Sequence, residues 1–167
     1  MSKVFIALGS NIDAEQNMKK AASLLRTNFP DIRFSSVYQT TAVGYEDQDD
    51  FLNAVGTFES ERTPEEIHTI LQSIEQSLGK SPPFIFGPRT IDLDLLLYGN
   101  EVHPGLEEWQ NQKLFVPHPR MHERRFVLEP LLDLIDPTST HPVLRSSWGA
   151  FLEKTKDQQV EKTALIL

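Results

Sequence analysis

The chain reads as an α+β domain built on a split βαβ pattern: an antiparallel sheet with helices on one face. Three observations predict it. Strand-like and helix-like stretches follow one another in the order β-α-β-β-α-β. Both helices are long enough to cross between strands. No internal repeat, low-complexity tract or linker interrupts the 167 residues, so one domain over 1–167 is expected.

Val4-Phe5-Ile6-Ala7-Leu8 is a short apolar run that ends in Gly9-Ser10-Asn11, as a buried strand does. A helix is predicted over 13–27, with Met18, Ala21, Ala22 and Leu25 at i, i+3, i+4 and i+7. Pro30-Asp31 breaks the chain, and 32–38 reads as a second strand. A polar loop over 40–50 leads into a third strand, 51–60, with Leu52, Ala54, Gly56 and Phe58 on one face. The second helix has the clearest start: Thr63 at the N-cap, Pro64 at the first helical position and Glu66 three residues after the cap. Ile67, Ile70, Leu71, Ile74 and Leu78 make its apolar stripe, and Gly79 ends it. A fourth strand covers 91–98. Beyond Gly99 the pattern weakens. Residues 100–115 read as an irregular excursion with no functional reading, 121–128 as helical, 130–135 as a short helix opened by Pro130, and 146–156 as a last helix around Trp148, Phe151 and Leu152.

The hydrophobic share of 39% and charged share of 24% are those of a soluble globular domain. The absence of cysteine excludes disulfides and thiolate metal sites, leaving oxygen or imidazole ligands, and is compatible with the expected cytoplasmic location. No apolar run approaches the ~18–20 residues of a membrane span, and the N-terminus enters a strand directly, so neither membrane association nor a signal peptide is expected. A net charge of −8 argues against nucleic acid as a partner. It leaves room for a nucleotide substrate, because a local basic cluster exists at Arg120, His122, Arg124 and Arg125, with His118 upstream. No surface stripe announces a dimer, and a monomer is expected.

The fourth strand is the most informative stretch. Ile91, Leu93, Leu95 and Leu97 alternate on one face; Asp92, Asp94, Leu96 and Tyr98 take the other. The two carboxylates therefore point the same way, with Cβ atoms about 6.5–7 Å apart. Aspartate is a poor strand former. A pair held like this suits the gripping of divalent cations that an anionic substrate also binds. A solvated strand face also fits the bare triplet. Arg89, three residues before Asp92 and beside the Gly87-Pro88 turn, adds a cation able to hold a phosphate.

Gly87-Pro88-Arg89-Thr90-Ile91-Asp92-Leu93-Asp94, taken with Val116-Pro117-His118-Pro119-Arg120-Met121-His122-Glu123-Arg124-Arg125-Phe126, resembles the 6-hydroxymethyl-7,8-dihydropterin pyrophosphokinases of folate biosynthesis. Gly9-Ser10-Asn11, Asp47-Gln48 and Phe51-Leu52-Asn53 fit the same family, so the resemblance covers almost the whole chain. It implies a ferredoxin-like fold, in agreement with the element order. It also implies transfer of the β,γ-diphosphate of ATP to the pterin hydroxymethyl group, with release of AMP and a need for two Mg²⁺ ions. ATP is then the co-substrate and a reduced pterin the acceptor.

By this resemblance Asp92 and Asp94 are the metal ligands and, with Arg89, the catalytic residues. Arg89, His118 and Arg124 match phosphate-contacting positions, for which a guanidinium's parallel donors are suited. Gln72, Glu75 and Lys80 join the ATP side. Thr40, Val43, Phe51, Asn53 and Phe126 match the pterin side. Two aromatic rings can sandwich a flat pterin, and Asn53 with main-chain groups of the 40–43 loop can meet its polar edge. Taken without the family pattern, several of these residues fit plainer roles. Arg124 fits a solvated helix face, His118 a capping or packed role, Gln72 and Glu75 an exposed helix surface, and Phe51 and Phe126 ordinary core. Asn53 is more telling, because asparagine within a strand wants a specific partner.

The chain departs from the family before Gly87. An arginine-rich segment is usual there, often with a tryptophan; here it is Lys80-Ser81-Pro82-Pro83-Phe84-Ile85-Phe86. Lys80 supplies a point charge and no bidentate fork. Weaker nucleotide binding or slower turnover than in a typical member is expected. The runner-up readings are a passive pterin- or nucleotide-binding module and a metal-dependent phosphohydrolase.

Overall fold

The computed structural model describes residues 1–40, 50–79, 90–105 and 116–167. Along these run β1 (Ser2–Ser10), α1 (Ala14–Asn28), β2 (Arg33–Phe34), β3 (Tyr38–Thr40), β4 (Phe51–Ser60), α2 (Pro64–Ser77), β5 (Asp92–Tyr98), a 3-10 turn (Met121–Glu123), α3 (Arg125–Leu131), α4 (Trp148–Lys154) and β6 (Glu161–Lys162). The sheet order is β5-β1-β4-β3-β6, with β2 also on β4 and every pairing antiparallel. This is the ferredoxin-like arrangement expected of the sequence.

Local chemistry sets the helices. The Thr63 hydroxyl accepts the Glu66 N–H at 3.2 Å and Pro64 occupies the first turn, so α2 starts at the predicted cap. Gly79 follows α2 at φ +78°, in the left-handed region where glycine carries no steric penalty. Met18, Leu25, Ile67, Leu71 and Ile74 bury against Val4, Ile6, Leu8, Ala54 and Phe58 on one face of the sheet.

The prediction that helices cover one face is corrected. On the other face Phe5, Val55, Leu96 and Leu97 pack against Met121, Val127, Leu128, Leu131, Trp148 and Phe151. The C-terminal extension is thus a second layer, and the central strands are apolar on both faces because both are covered. The short helix expected at 130–135 does not form. Pro130 lies inside α3, since burial of Val127, Leu128 and Leu131 carries the helix through it. The two-residue β6 was not predicted: Glu161 and Lys162 are both exposed and carry no alternation.

Two irregularities place the site. The predicted strand over 32–38 is split. Three residues separate Phe34 from Tyr38 where two separate their partners Gly56 and Asn53. The Ser35 N–H donates to the Val55 carbonyl at 2.8 Å, and the Ser35 hydroxyl accepts the Val55 N–H at 2.9 Å, standing in for a ladder carbonyl. In β5, Phe5 faces Leu97 and the next residue, Ile6, faces Leu95, so Leu96 is an extra residue. The alternation inverts there. Leu97 joins Leu96 in the second layer, while Tyr98 joins Leu93 and Leu95 in the first, contrary to the expected faces.

His141 is fully buried in the second layer, its ring centroid 5.4 Å from Trp148 and 5.5 Å from His122. Its Nδ1 accepts the N–H groups of Val143 and Leu144, both at 3.0 Å, which ties down the turn before α4. Burial, then the nearby His122, holds its imidazole down at about 4 against an ordinary 6.5. The unfolded chain therefore takes up this proton first. The contribution to stability is complete above about pH 6.5 and is lost as the pH falls toward 4. Urea unfolding is expected to show stability dropping through this window by up to about 1.4 kcal/mol per pH unit for this proton. His141→Gln should flatten that slope, and an unchanged slope would count against the assignment.

Candidate active site

The paired aspartates open β5, where Asp92 faces Gly9 and Asp94 faces Ala7 of β1. Gly9 in turn faces Asn53 of β4, and Asn53 faces Tyr38 of β3. Asp92, Gly9, Asn53 and Tyr38 thus form one row across four strands, and side chains of one row leave the sheet on the same face. That face is the one covered by α3 and α4, because Ala7 and Val55, in the next same-facing row as Asp94, pack in that layer. Neighbouring strands lie about 4.8 Å apart, so Asp92 and Asn53 are separated by about 10 Å. Gly9 leaves the space between them open. A Cβ there would meet Asn53 Oδ1 at 3.3 Å, which shows the Asn53 side chain lying across the glycine.

Asn53 is only 6% exposed, and its Nδ2 has no hydrogen-bond partner among the described residues. A buried amide donor in that state awaits an acceptor. Phe51 lies two residues earlier on the same strand face and is half-buried; Thr40 pairs with it across β3. Phe126, on the first turn of α3, is half-buried against the same layer. The Tyr38 hydroxyl donates to the Asp133 carboxylate at 3.0 Å, and Asp133 also accepts the Ser36 N–H at 3.0 Å. Burial first, then Asp133, raises the Tyr38 phenol above its usual value, so it remains a donor. This pins the far end of α3 to the sheet. Sequence reasoning missed Asp133, which has no local pattern to mark it.

The aspartate strand is held from two sides. The Ser10 hydroxyl donates to the Thr90 carbonyl at 2.5 Å, just before β5. Glu75 of α2 accepts the Leu93 N–H at 2.8 Å, between the two aspartates. Glu75 is 7% exposed, which corrects its reading as an exposed helix residue; Gln72, one turn earlier, is exposed. Glu75→Ala leaves the Leu93 N–H buried and without this acceptor. It is expected to cost about 1–3 kcal/mol in chemical denaturation, with Glu75→Gln, which keeps an acceptor, costing less. Equal stability in wild type and both variants would refute this.

The cationic side comes from the 116–126 segment. The His118 N–H donates to the Leu96 carbonyl at 2.8 Å, so the extra residue in β5 supplies the acceptor that sets this segment beside the aspartates. His118 Nδ1 accepts the Arg120 N–H at 3.2 Å, which assigns the ring proton to Nε2. Burial, followed by the charges of Arg124, Arg120 and His122, holds His118 down at about 4, so it is a neutral donor at neutral pH. Arg124 sits between the 3-10 turn and α3 with extended backbone (φ −115°, ψ 107°). Burial lowers its guanidinium below the usual value, while Asp94 most strongly, then Glu123 and Asp92, act to raise it. Arg124 is therefore within electrostatic reach of both aspartates. Its guanidinium lies 5.7 Å from the centre of the Phe126 ring. Arg125 is occupied structurally: it pairs with Glu129 at 2.8 Å and donates to the Leu152 carbonyl at 3.2 Å.

Asp92 is half-buried and Asp94 exposed. No group of three or more carboxylates or histidines that could cage a metal exists among the described residues. Two same-facing carboxylates fit hard cations whose remaining ligands come from substrate oxygens and water. Val43, Lys80 and Arg89 lie outside the described residues. No helix among the described residues is long and apolar enough to cross a membrane.

The model of the 7,8-dihydro-6-hydroxymethylpterin-pyrophosphokinase (HPPK) family matches residues 5–136. The chain is 42% identical over 133 residues to the 2-amino-4-hydroxy-6-hydroxymethyldihydropteridine pyrophosphokinase of Bacillus subtilis, covering 78% of this chain and 76% of that one. It is 36% identical over 152 residues to the enzyme of the same name from Aquifex aeolicus, covering 90% and 91%. Among solved structures, the HPPK-DHPS protein of Plasmodium falciparum superposes with a TM-score of 0.68 at 16% identity, which speaks to the fold alone. That match takes in 92% of this chain and 43% of the longer one. On the family match and on the identity to both relatives over most of their length, the chain belongs to the 7,8-dihydro-6-hydroxymethylpterin-pyrophosphokinase family.

Proposed function

We propose that the chain transfers the β,γ-diphosphate of ATP to the hydroxymethyl group of 6-hydroxymethyl-7,8-dihydropterin, as a step of folate biosynthesis. The observation that carries this reading is one row of the sheet. In it Asp92 lies about 10 Å from the buried amide of Asn53, whose Nδ2 has no partner among the described residues, and Asp94 follows in the next same-facing row, within reach of Arg124. A polyphosphate and a flat heterocycle fit end to end across that row.

In the reaction the pterin hydroxyl oxygen forms a bond to the β-phosphorus. The bond from that phosphorus to the α,β-bridging oxygen breaks, AMP leaves with that oxygen, and the hydroxyl proton passes to solvent. Asp92 and Asp94 would hold two magnesium ions, which supply charge neutralisation at the phosphates. Arg124 and neutral His118 donate to the phosphate oxygens, with Arg89 and Lys80 joining from the preceding loop. Gln72 faces the nucleotide from α2, and Glu75 contributes by fixing Leu93 and so the spacing of the aspartates. Phe51 and Phe126 sandwich the pterin, and Asn53 pairs with its amide edge, with Thr40 and Val43 on the same pterin side. Positioning and electrostatics do the work, and no covalent intermediate is needed.

Incubation with ATP, magnesium and the pterin tests this. Pterin-dependent AMP is expected. Phosphate release without pterin would mark a hydrolase, and pterin binding without turnover a passive module.

A further inference from the structure

Residues 137–167 lie beyond the stretch that the family model matches. They nevertheless reach both ends of the site. After α4, Thr155 is buried and its N–H and hydroxyl both donate to the Leu152 carbonyl, at 3.0 and 2.8 Å. The Gln158 N–H donates to the Thr155 carbonyl at 2.9 Å, and the chain turns back over the start of α3.

There the Gln158 amide makes two bonds at once. Its Oε1 accepts the Arg125 N–H at 2.9 Å, and its Nε2 donates to the Glu123 carbonyl at 2.8 Å. One partner is a donor and the other an acceptor, so the amide orientation is fixed by chemistry. The two bonds straddle Arg124. The Arg125 N–H is one of the donors that a helix start leaves without an intrahelical partner, while the Arg124 backbone donates to the Met121 carbonyl at 3.4 Å and accepts the Val127 and Leu128 N–H groups, both at 3.0 Å. A planar amide spanning i−1 and i+1 adds a second hold on the peptide planes on both sides of the arginine and so narrows its Cα–Cβ direction. The next residue works at the other end: the Gln159 carbonyl accepts the Thr40 hydroxyl at 3.2 Å, and β6 then pairs with β3.

We propose that Gln158 is a positioning residue for Arg124, and that the 158–162 segment ties the phosphate side of the site to the end of the strand that leads into the pterin loop. The clamp itself is geometric. Its role in phosphate binding rests on the function proposed above.

Gln158→Ala tests it with three readouts. The Arg125 amide should exchange hydrogen faster than in the wild type. Affinity for a non-hydrolysable ATP analogue with magnesium, and kcat/KM for ATP, should fall about five- to tenfold, the scale of one lost neutral hydrogen-bond pair. Pterin affinity should hold, with a melting temperature within about 2 °C, since Gln158 is exposed. Gln158→Glu keeps the acceptor for Arg125 but sets an oxygen against the Glu123 carbonyl. It should retain slow exchange at Arg125 and fall between the other two in ATP affinity. Unchanged Arg125 exchange, or wild-type ATP affinity in the alanine variant, overturns the proposal. So do equal losses for ATP and pterin with a lowered melting temperature, which would mark a general structural role. A wild-type protein that makes no pterin-dependent AMP defeats the assigned reaction instead, while the exchange and analogue-binding readouts still decide the clamp.

Discussion

Asp94→Ala and Asp92→Ala are each expected to lower kcat/KM by about a hundred- to a thousandfold or more, with the protein still folded. The size follows from what the carboxylates are asked to do. In the proposed reaction a polyphosphate would bring several negative charges into a site whose described cations are Arg124 and its neighbours, so removing a ligand for a neutralising ion would remove stabilisation that grows as the leaving AMP develops charge. The fold should survive because Asp94 is exposed and Asp92 half-buried, and neither belongs to an apolar cluster. Removing one also relieves repulsion between like charges on one strand face. Stability is therefore expected to stay within about 1 kcal/mol of the wild type. Asp94→Asn separates charge from shape: if charge is what matters, it resembles the alanine variant in AMP release while melting like the wild type. Near-normal turnover in any of these variants would remove the two carboxylates from the mechanism.

Asn53→Ala should act on the other substrate. The amide is buried, and its Nδ2 lacks a partner among the described residues, so a ligand's acceptor can satisfy it. A site built to hydrogen-bond a ligand loses about 1–3 kcal/mol per missing polar contact. Pterin affinity should fall about 10- to 100-fold while ATP affinity changes little. Stability should hold, because the variant deletes a buried donor that has no partner among the described residues. Fluorescence titration with the pterin, calorimetry with an ATP analogue and a thermal melt decide this together. Equal weakening of both ligands with a lower melting temperature would assign Asn53 to the scaffold.

Much of this was legible in the sequence, for identifiable reasons. The start of α2 was readable because Thr63, Pro64 and Glu66 are local signals, and β4 because Leu52, Ala54, Gly56 and Phe58 recur at every second position. The common face of Asp92 and Asp94 was readable because both precede the irregularity in β5. The faces of Leu97 and Tyr98 were misread because the extra residue at Leu96 is defined only by pairing with β1, and nothing in a run of leucines marks it. The break after Phe34 depends likewise on Ser35 meeting Val55, a long-range contact. His118 and Arg124 were found through a motif, since read alone they fit capping and solvated roles. Glu75 was misjudged because an acidic residue on a helix is usually solvated, and only the strand beside it supplies the N–H that draws it inside. Gln158 and Gln159 left no trace, because exposed glutamines carry no periodicity.

The leucine at 96 has a consequence for how this chain tolerates change. Upstream of it β5 presents two carboxylates to the second layer; downstream the phase is inverted, so that Leu97 enters that layer and Tyr98 sends its hydroxyl to the Arg62 carbonyl on the other side, at 2.7 Å. Deleting Leu96 would leave Ile6 facing Leu95 and Phe5 facing Leu97, with Leu97 and Tyr98 on their present faces, but would withdraw the carbonyl that holds His118. Exchange of Leu96 for another bulky aliphatic would keep that carbonyl in place. The extra residue thus serves the site through its backbone carbonyl rather than through its side chain. A single-codon deletion at Leu96 is therefore expected to loosen the segment after Val116 more than a conservative substitution there, while the pairing of β5 with β1 persists.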